Sequence, residues 1–131
     1  MKIEKEIKSL NMAWEQGYGY SQGAKVGDTI YLAGQVSHDE KGNILGEGDM
    51  EAQMRAAYAN VGKVLAQYGA TMDNVVDEIL FVTDMDAAFA ARGEMKLEIY
   101  PGSAFPASTI VQIQRLALPE LSIEIKCTAR V

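Results

Sequence analysis

Leu121-Ser-Ile-Glu-Ile-Lys-Cys-Thr-Ala-Arg-Val131 alternates without a break. Leu121, Ile123, Ile125, Cys127, Ala129 and Val131 share one parity, and Ser122, Glu124, Lys126, Thr128 and Arg130 share the other. Period two over a stretch this long specifies a strand with one face in a core. The run from Ser108 to Leu116 is its expected antiparallel neighbour, joined through Ala117-Leu-Pro-Glu120. Upstream, Thr29-Ile-Tyr-Leu-Ala-Gly-Gln-Val36 is a β-rich run entered from Ser21-Gln-Gly-Ala-Lys-Val26 through a Gly27-Asp28 turn, which predicts a hairpin. Val75 to Thr83 forms a further strand.

Two helices separate these strands. After Asp49, a plausible N-cap, Met50, Met54, Ala57, Tyr58, Val61, Val64, Leu65 and Tyr68 recur at steps of three and four up to Gly69, a natural left-handed stop. Gln53, Arg55, Lys63 and Gln67 form its polar face. A second helix, capped by Asp84 or Asp86, runs to about Tyr100, with Phe89, Gly93, Leu97 and Tyr100 near one line. His38-Asp-Glu-Lys-Gly-Asn43 is a turn or loop. Lys2, Lys5 and Lys8, interrupted by Glu4 and Glu6, read as a solvated edge strand. The order predicts a single α+β domain over residues 1–131: one sheet with two helices packed on one face.

Composition narrows the function. The chain has 131 residues and a net charge of −6, with 48% apolar and 23% charged residues, one cysteine and one histidine. A lone Cys127 excludes an internal disulfide and a lone His38 excludes a multi-histidine metal centre. No apolar run is long enough to span a membrane and no signal-peptide core is present, so a soluble cytoplasmic domain is expected. Scattered basic residues in an acidic chain argue against nucleic acid as a partner. The sheet face away from the helices would carry apolar groups from both inner strands, which predicts a homo-oligomer.

Few residues could carry chemistry. His38 reads as a turn residue and Cys127 as a buried thiol. No nucleophile elbow, phosphate loop or dinucleotide fingerprint is present. Glu124 is different: a carboxylate on the polar face of its strand is either solvated or, if an oligomer covers it, desolvated and fit to act as an acid or base.

Gly27-Asp-Thr-Ile-Tyr-Leu-Ala-Gly-Gln-Val36, Gln53 and Asn60 on the first helix, Phe105-Pro-Ala107 and Ile123-Glu-Ile125, in that order, resemble the YjgF/Rid family of imine/enamine deaminases, also labelled endoribonuclease L-PSP. The resemblance spans roughly Tyr18 to Ala129. It implies a chorismate-mutase-like fold whose mixed sheets form a barrel in a homotrimer, with small-molecule clefts between subunits. It also implies hydrolysis of 2-imino or 2-enamino acids without a cofactor. By the same resemblance Glu124 positions the attacking water, and Tyr20, Gly34 and Gln35 complete the cleft. The family's substrate-carboxylate arginine falls on Ser108, followed by Thr109. Ser108 and Thr109 are then the hydroxyls expected to bind the substrate's polar end, because a guanidinium's charge and fork geometry are missing there. Arg115, seven residues along and of opposite parity, faces away from Ser108 and could serve the cleft only from a neighbouring subunit. The substrate expected is therefore an imine, enamine or related C–N compound without an ordinary α-carboxylate anchor. The alternative is a trimer of the same fold that binds a small metabolite, or regulates a partner, without catalysis. A ribonuclease is not expected of a chain with this charge and one histidine.

Overall fold

The computed structural model describes all residues, Met1–Val131. Its elements are β1 (Glu6–Lys8), α1 (Ala13–Tyr18), β2 (Gly23–Val26), β3 (Thr29–Leu32), α2 (Met50–Ala66), β4 (Val75–Val82), α3 (Met85–Ile99), β5 (Ala107–Gln112) and β6 (Ile123–Arg130). They form one mixed six-stranded sheet in the order β1-β2-β3-β6-β4-β5. The β2–β3 hairpin turns at Gly27-Asp28, with Gly27 at φ +60°, a conformation a side chain would resist. β1 is an exposed, charged edge strand, as its sequence predicts.

α2 and α3 cover one sheet face. Asp49 caps α2 by accepting from the Ala52 N–H at 3.1 Å, and Asp84, not Asp86, caps α3 by accepting from Ala87. Met54, Ala57, Val61, Val64 and Leu65 of α2 pack fully buried against Leu80 and Val82 of β4 and the inward row Ile123, Ile125, Cys127 and Ala129 of β6. The period-two reading of the last strand therefore stands.

The partner expected for β6 does not. β5 pairs parallel with β4, from Asp77↔Ala107 to Val82↔Gln112, while β6 lies between β3 and β4 and runs antiparallel to both. α3 carries the chain back over the sheet before β5 begins, and such a crossover returns a strand parallel to the one it left. β5 also ends at Gln112, short of Leu116. β3 ends at Leu32, and the remainder of its expected run touches β6 only at an isolated bridge, Gln35↔Ile125.

The buried face of α3 is Ala88, Ala91, Met95 and Ile99; of the line read from the sequence, Phe89 and Leu97 are exposed and Tyr100 is buried. Small residues at 88 and 91 let the helix approach closely, whereas Gly93 is exposed with nothing near the position its Cβ would take. Gln53, expected on the polar face of α2, is fully buried.

A buried carboxylate fastens the helices to the sheet. Glu78 of β4 is completely buried and accepts from Tyr58 Oη at 2.7 Å, Tyr100 Oη at 2.6 Å, Ser108 Oγ at 2.6 Å and Arg92 Nε at 3.1 Å. Burial and the adjacent carboxylate push both tyrosine hydroxyls far above their ordinary pKa.

Candidate functional site

Glu15, Gln22, Gln35, Ser37, His38, Gln53, Asn60 and Glu78 are the buried polar side chains, and none lacks a hydrogen-bond partner. All but Glu78 frame one cleft. Burying so many polar groups costs free energy unless each is paired, so their convergence marks where the fold is held to a defined shape.

The frame is built from three sides. Two amides on the inner face of α2 reach past the sheet. Gln53 Nε2 donates to the Glu120 carbonyl at 2.8 Å, and its Oε1 accepts from Ser122 N–H and Oγ at 2.8 and 3.0 Å. One turn or two along the same helix, Asn60 Nδ2 donates to the Val36 and His38 carbonyls at 2.8 and 3.2 Å. The third side is α1, a six-residue helix with little periodic signal in the sequence. Its Glu15 accepts from Ser9 Oγ at 2.6 Å, Met12 N–H at 3.0 Å, Leu10 N–H at 3.1 Å and Gln22 Nε2 at 3.2 Å. Burial pushes the Glu15 pKa up, but these donors together outweigh it and hold the carboxyl below its ordinary value.

Between these sides lies an open cleft of about 730 Å³. Trp14, Tyr18 and Tyr20 form one wall; Val36, His38 and Ile44 a second; Leu118 and Leu121 a third. Glu124 projects from β6 onto the sheet face opposite the helices, half-buried, beside Gly34. A Cβ at position 34 would lie 2.6 Å from Glu124 Cδ, so only glycine admits the carboxylate there. Burial pushes the Glu124 pKa up, opposed by the positive charge of Lys126, and no protein hydrogen bond to the carboxylate contributes. Tyr20 is also raised, first by burial and then by the charge of Glu15, with a smaller contribution from Glu124.

Glu124, Tyr20 and Gly34 thus come together as the sequence proposes. Gln35 does not line the cleft but lies under it. Its Nε2 donates to Gln22 Oε1 at 2.6 Å, and Gln22 Nε2 in turn reaches Tyr20 Oη at 3.3 Å, so Gln35 acts on the cleft through Tyr20. Ser108 and Thr109 stand on β5, beyond β4, roughly 10 Å from β6 at ~4.8 Å per strand. The Ser108 hydroxyl points to the helix side, onto Glu78, while Thr109 shares the open face with Glu124. Within one chain neither hydroxyl reaches the cleft.

His38, which reads as a turn residue, is buried in the cleft wall with its ring edge-on to Trp14 at 4.9 Å. Its Nδ1 lies 2.8 Å from the Asp39 carbonyl, which can only accept, so Nδ1 carries the proton and Nε2 is left as the other polar atom. No group of three or more His, Cys, Asp or Glu side chains converges as a metal site would require, and no helix is long and apolar enough to cross a membrane.

The Endoribonuclease L-PSP family model matches residues 12–131. Among curated proteins, RutC family protein YjgH of Escherichia coli K12 is 34% identical over 112 residues, which cover 86% of this chain and 82% of that one. The 2-iminobutanoate/2-iminopropanoate deaminase of Dermatophagoides farinae is 30% identical over 112 residues, covering 86% of each chain. Among solved structures, Rv2704 of Mycobacterium tuberculosis, a member of the YjgF/YER057c/UK114 family, matches with a TM-score of 0.85 at 28% identity. That match covers 98% of this chain and 100% of the other.

Proposed function

The chain belongs to the Endoribonuclease L-PSP (YjgF/Rid) family, and on that premise we propose that it hydrolyses a reactive imine, enamine or related C–N compound in this cleft. The observation that carries the reading is Glu124: a half-buried carboxylate, raised in pKa, accepting no protein hydrogen bond, at the floor of a pocket of ligand size. The naming of one relative as a 2-imino acid deaminase supports the reaction class.

In this reaction Glu124, ionised, accepts a hydrogen bond from water and turns the water oxygen toward the electrophilic carbon of the C=N group. As the C–O bond forms on the protonated imine, one water proton passes to Glu124 and a neutral carbinolamine results. Glu124 returns that proton to the nitrogen and takes the hydroxyl proton as the C–N bond breaks, so that a carbonyl product forms and ammonia leaves, carrying the proton off as ammonium. Tyr20 Oη and the backbone beside Gly34 orient the polar atoms, and the apolar walls exclude competing water. The cleft opens on the uncovered sheet face, where we place it at the subunit boundary of a homotrimer. A neighbouring copy would then bring Thr109, and the segment around Ser108, to its rim.

A second reading, a trimer that holds a small metabolite without turning it over, is favoured by Ser108. The resemblance expects an arginine at that position, and the Ser108 hydroxyl is already committed to Glu78.

The test is competition for imines. An amino-acid oxidase generates imines in situ from a panel of amino acids, an amine oxidase does so from a panel of amines, and semicarbazide traps them. The hydrolase reading expects the protein to lower the trapped fraction for at least one member, and Glu124→Ala to abolish that effect while sedimenting as the wild type does. No competition across the panel by a correctly assembled protein sinks the hydrolase and leaves the binding trimer.

A further inference from the structure

The ionisable side chains lining the cleft are Glu124, Tyr18, Tyr20 and His38; no lysine or arginine is among them. Three cations of neighbouring segments are committed elsewhere. Lys126, next on the same strand face, donates its ammonium to the Leu32 carbonyl. Arg115 donates to the carbonyls of Leu116 and Ala117 at 3.0 Å each. Arg92 is paired with Glu78 at 3.0 Å, on the helix side of the sheet.

What remains on this chain is one carboxylate without a hydrogen-bond partner, facing aromatic rings, with Lys126 the one cation whose charge acts on it. A ligand carboxylate placed there would meet like charge and, from this chain, no cationic donor. A cationic nitrogen would donate to Glu124 and lie against ring faces whose quadrupoles attract it, in a site half out of water where both effects are strengthened. The volume of about 730 Å³, walled by Leu118, Leu121, Val36 and Ile44, suits a phenyl- or indole-sized body behind the nitrogen.

We propose that the cleft selects a cationic nitrogen compound, an amine or protonated imine, carried on an aromatic or branched apolar body and bearing no carboxylate. This rests on reading the cleft as the ligand site and adds the charge and shape of what enters it. Glu124 is the charge-selecting group, and Trp14 and Tyr20 are the ring walls.

Trp14 is the only tryptophan in the chain and stands in the cleft wall, so its fluorescence reports occupancy directly. The intact protein is titrated at pH 7 with 2-phenylethylamine, 2-phenylethanol and 3-phenylpropionate, which share a body and differ in charge. Saturable quenching by the amine, with the alcohol weaker and the carboxylate at least tenfold weaker, is expected. The isosteric Glu124→Gln, checked for unchanged circular dichroism, should then bring amine and alcohol to within about threefold of each other.

Equal or tighter binding of 3-phenylpropionate overturns the proposal. So does an amine preference that survives Glu124→Gln, which assigns the attraction to the net charge of the molecule, and so does a lack of quenching by all three probes. Because the readout is binding, selective amine binding without imine turnover sinks the hydrolase alone. Turnover of 2-imino acids with tight carboxylate binding sinks the cationic-ligand proposal alone.

Discussion

Glu124 and Glu15 belong to one cleft and titrate against folding with opposite sign. Burial raises Glu124, with no donor to offset it, so its ionised form opposes folding. That cost is absent below the ordinary carboxylate value and complete once pH has risen through the folded value. Glu15, held low by its four donors, stabilises the fold above the ordinary value and loses that contribution as pH falls through its lowered one. Glu124→Gln should therefore raise the melting temperature at pH 7, by roughly 1–4 °C, and the gain should vanish by about pH 4, where the wild-type carboxyl is itself neutral. Thermal melts of both proteins at the two pH values decide it. A variant that melts lower at pH 7 would mean that Glu124 has a stabilising partner. A group that costs stability and yet stands at the floor of a shaped cleft is the usual mark of a residue kept for what it does.

At the scale of elements, one carboxylate ties four segments together. Glu78 on β4 takes hydroxyls from α2 (Tyr58), from the end of α3 (Tyr100) and from β5 (Ser108), and the guanidinium of Arg92 on α3. Removing it leaves two buried hydroxyls and a mostly buried cation unpaired. Glu78→Ala should cost about 3–5 kcal/mol in urea unfolding; a loss under ~1 kcal/mol would show that water replaces the carboxylate at no penalty.

Elements whose burial is apolar were legible in the sequence: α2 from Met54 to Leu65, and β6 from Ile123 to Ala129. The sequence signal for β5 was present and was outweighed by proximity along the chain. The strand–helix–strand order from Val75 to Gln112 specifies a parallel return, whereas nearness to β6 suggests a hairpin. Periodicity could not show that Gln53, Asn60 and His38 are buried. What buries an amide is a loop carbonyl waiting for it, and that carbonyl belongs to residues far along the chain. Glu124, Tyr20 and Gly34 were singled out by their resemblance to family motifs and line one cleft, and only the fold shows Ser108 turned to Glu78.

The whole molecule leaves one sheet face uncovered. Tyr31, Ile79, Phe81 and Val111 lie on it beside Thr109 and Lys126, half-buried or exposed. An apolar face of this kind, with the cleft opening at its border, is what a closed homo-oligomer covers. Sedimentation velocity should find a species of roughly three chain masses, and Val111→Asp should shift it to the monomer with far-ultraviolet circular dichroism retained and imine competition lost. A wild-type monomer would place the cleft within a single chain, and a Val111→Asp protein that assembles and competes unchanged would put Val111 outside the subunit contact.

The amides of Gln53 and Asn60 grip main-chain atoms, with the Ser122 hydroxyl the one side chain added, and none of the apolar side chains that line the cleft. Leu118, Val36 and Ile44, none of them fully buried, can therefore be exchanged for residues of other size and polarity while the loops that present them stay where they are. Such a frame separates the inheritance of shape from the inheritance of taste. A lineage carrying it can drift from one small molecule to another by repainting two walls, with its architecture, and even the position of its carboxylate, passed on intact.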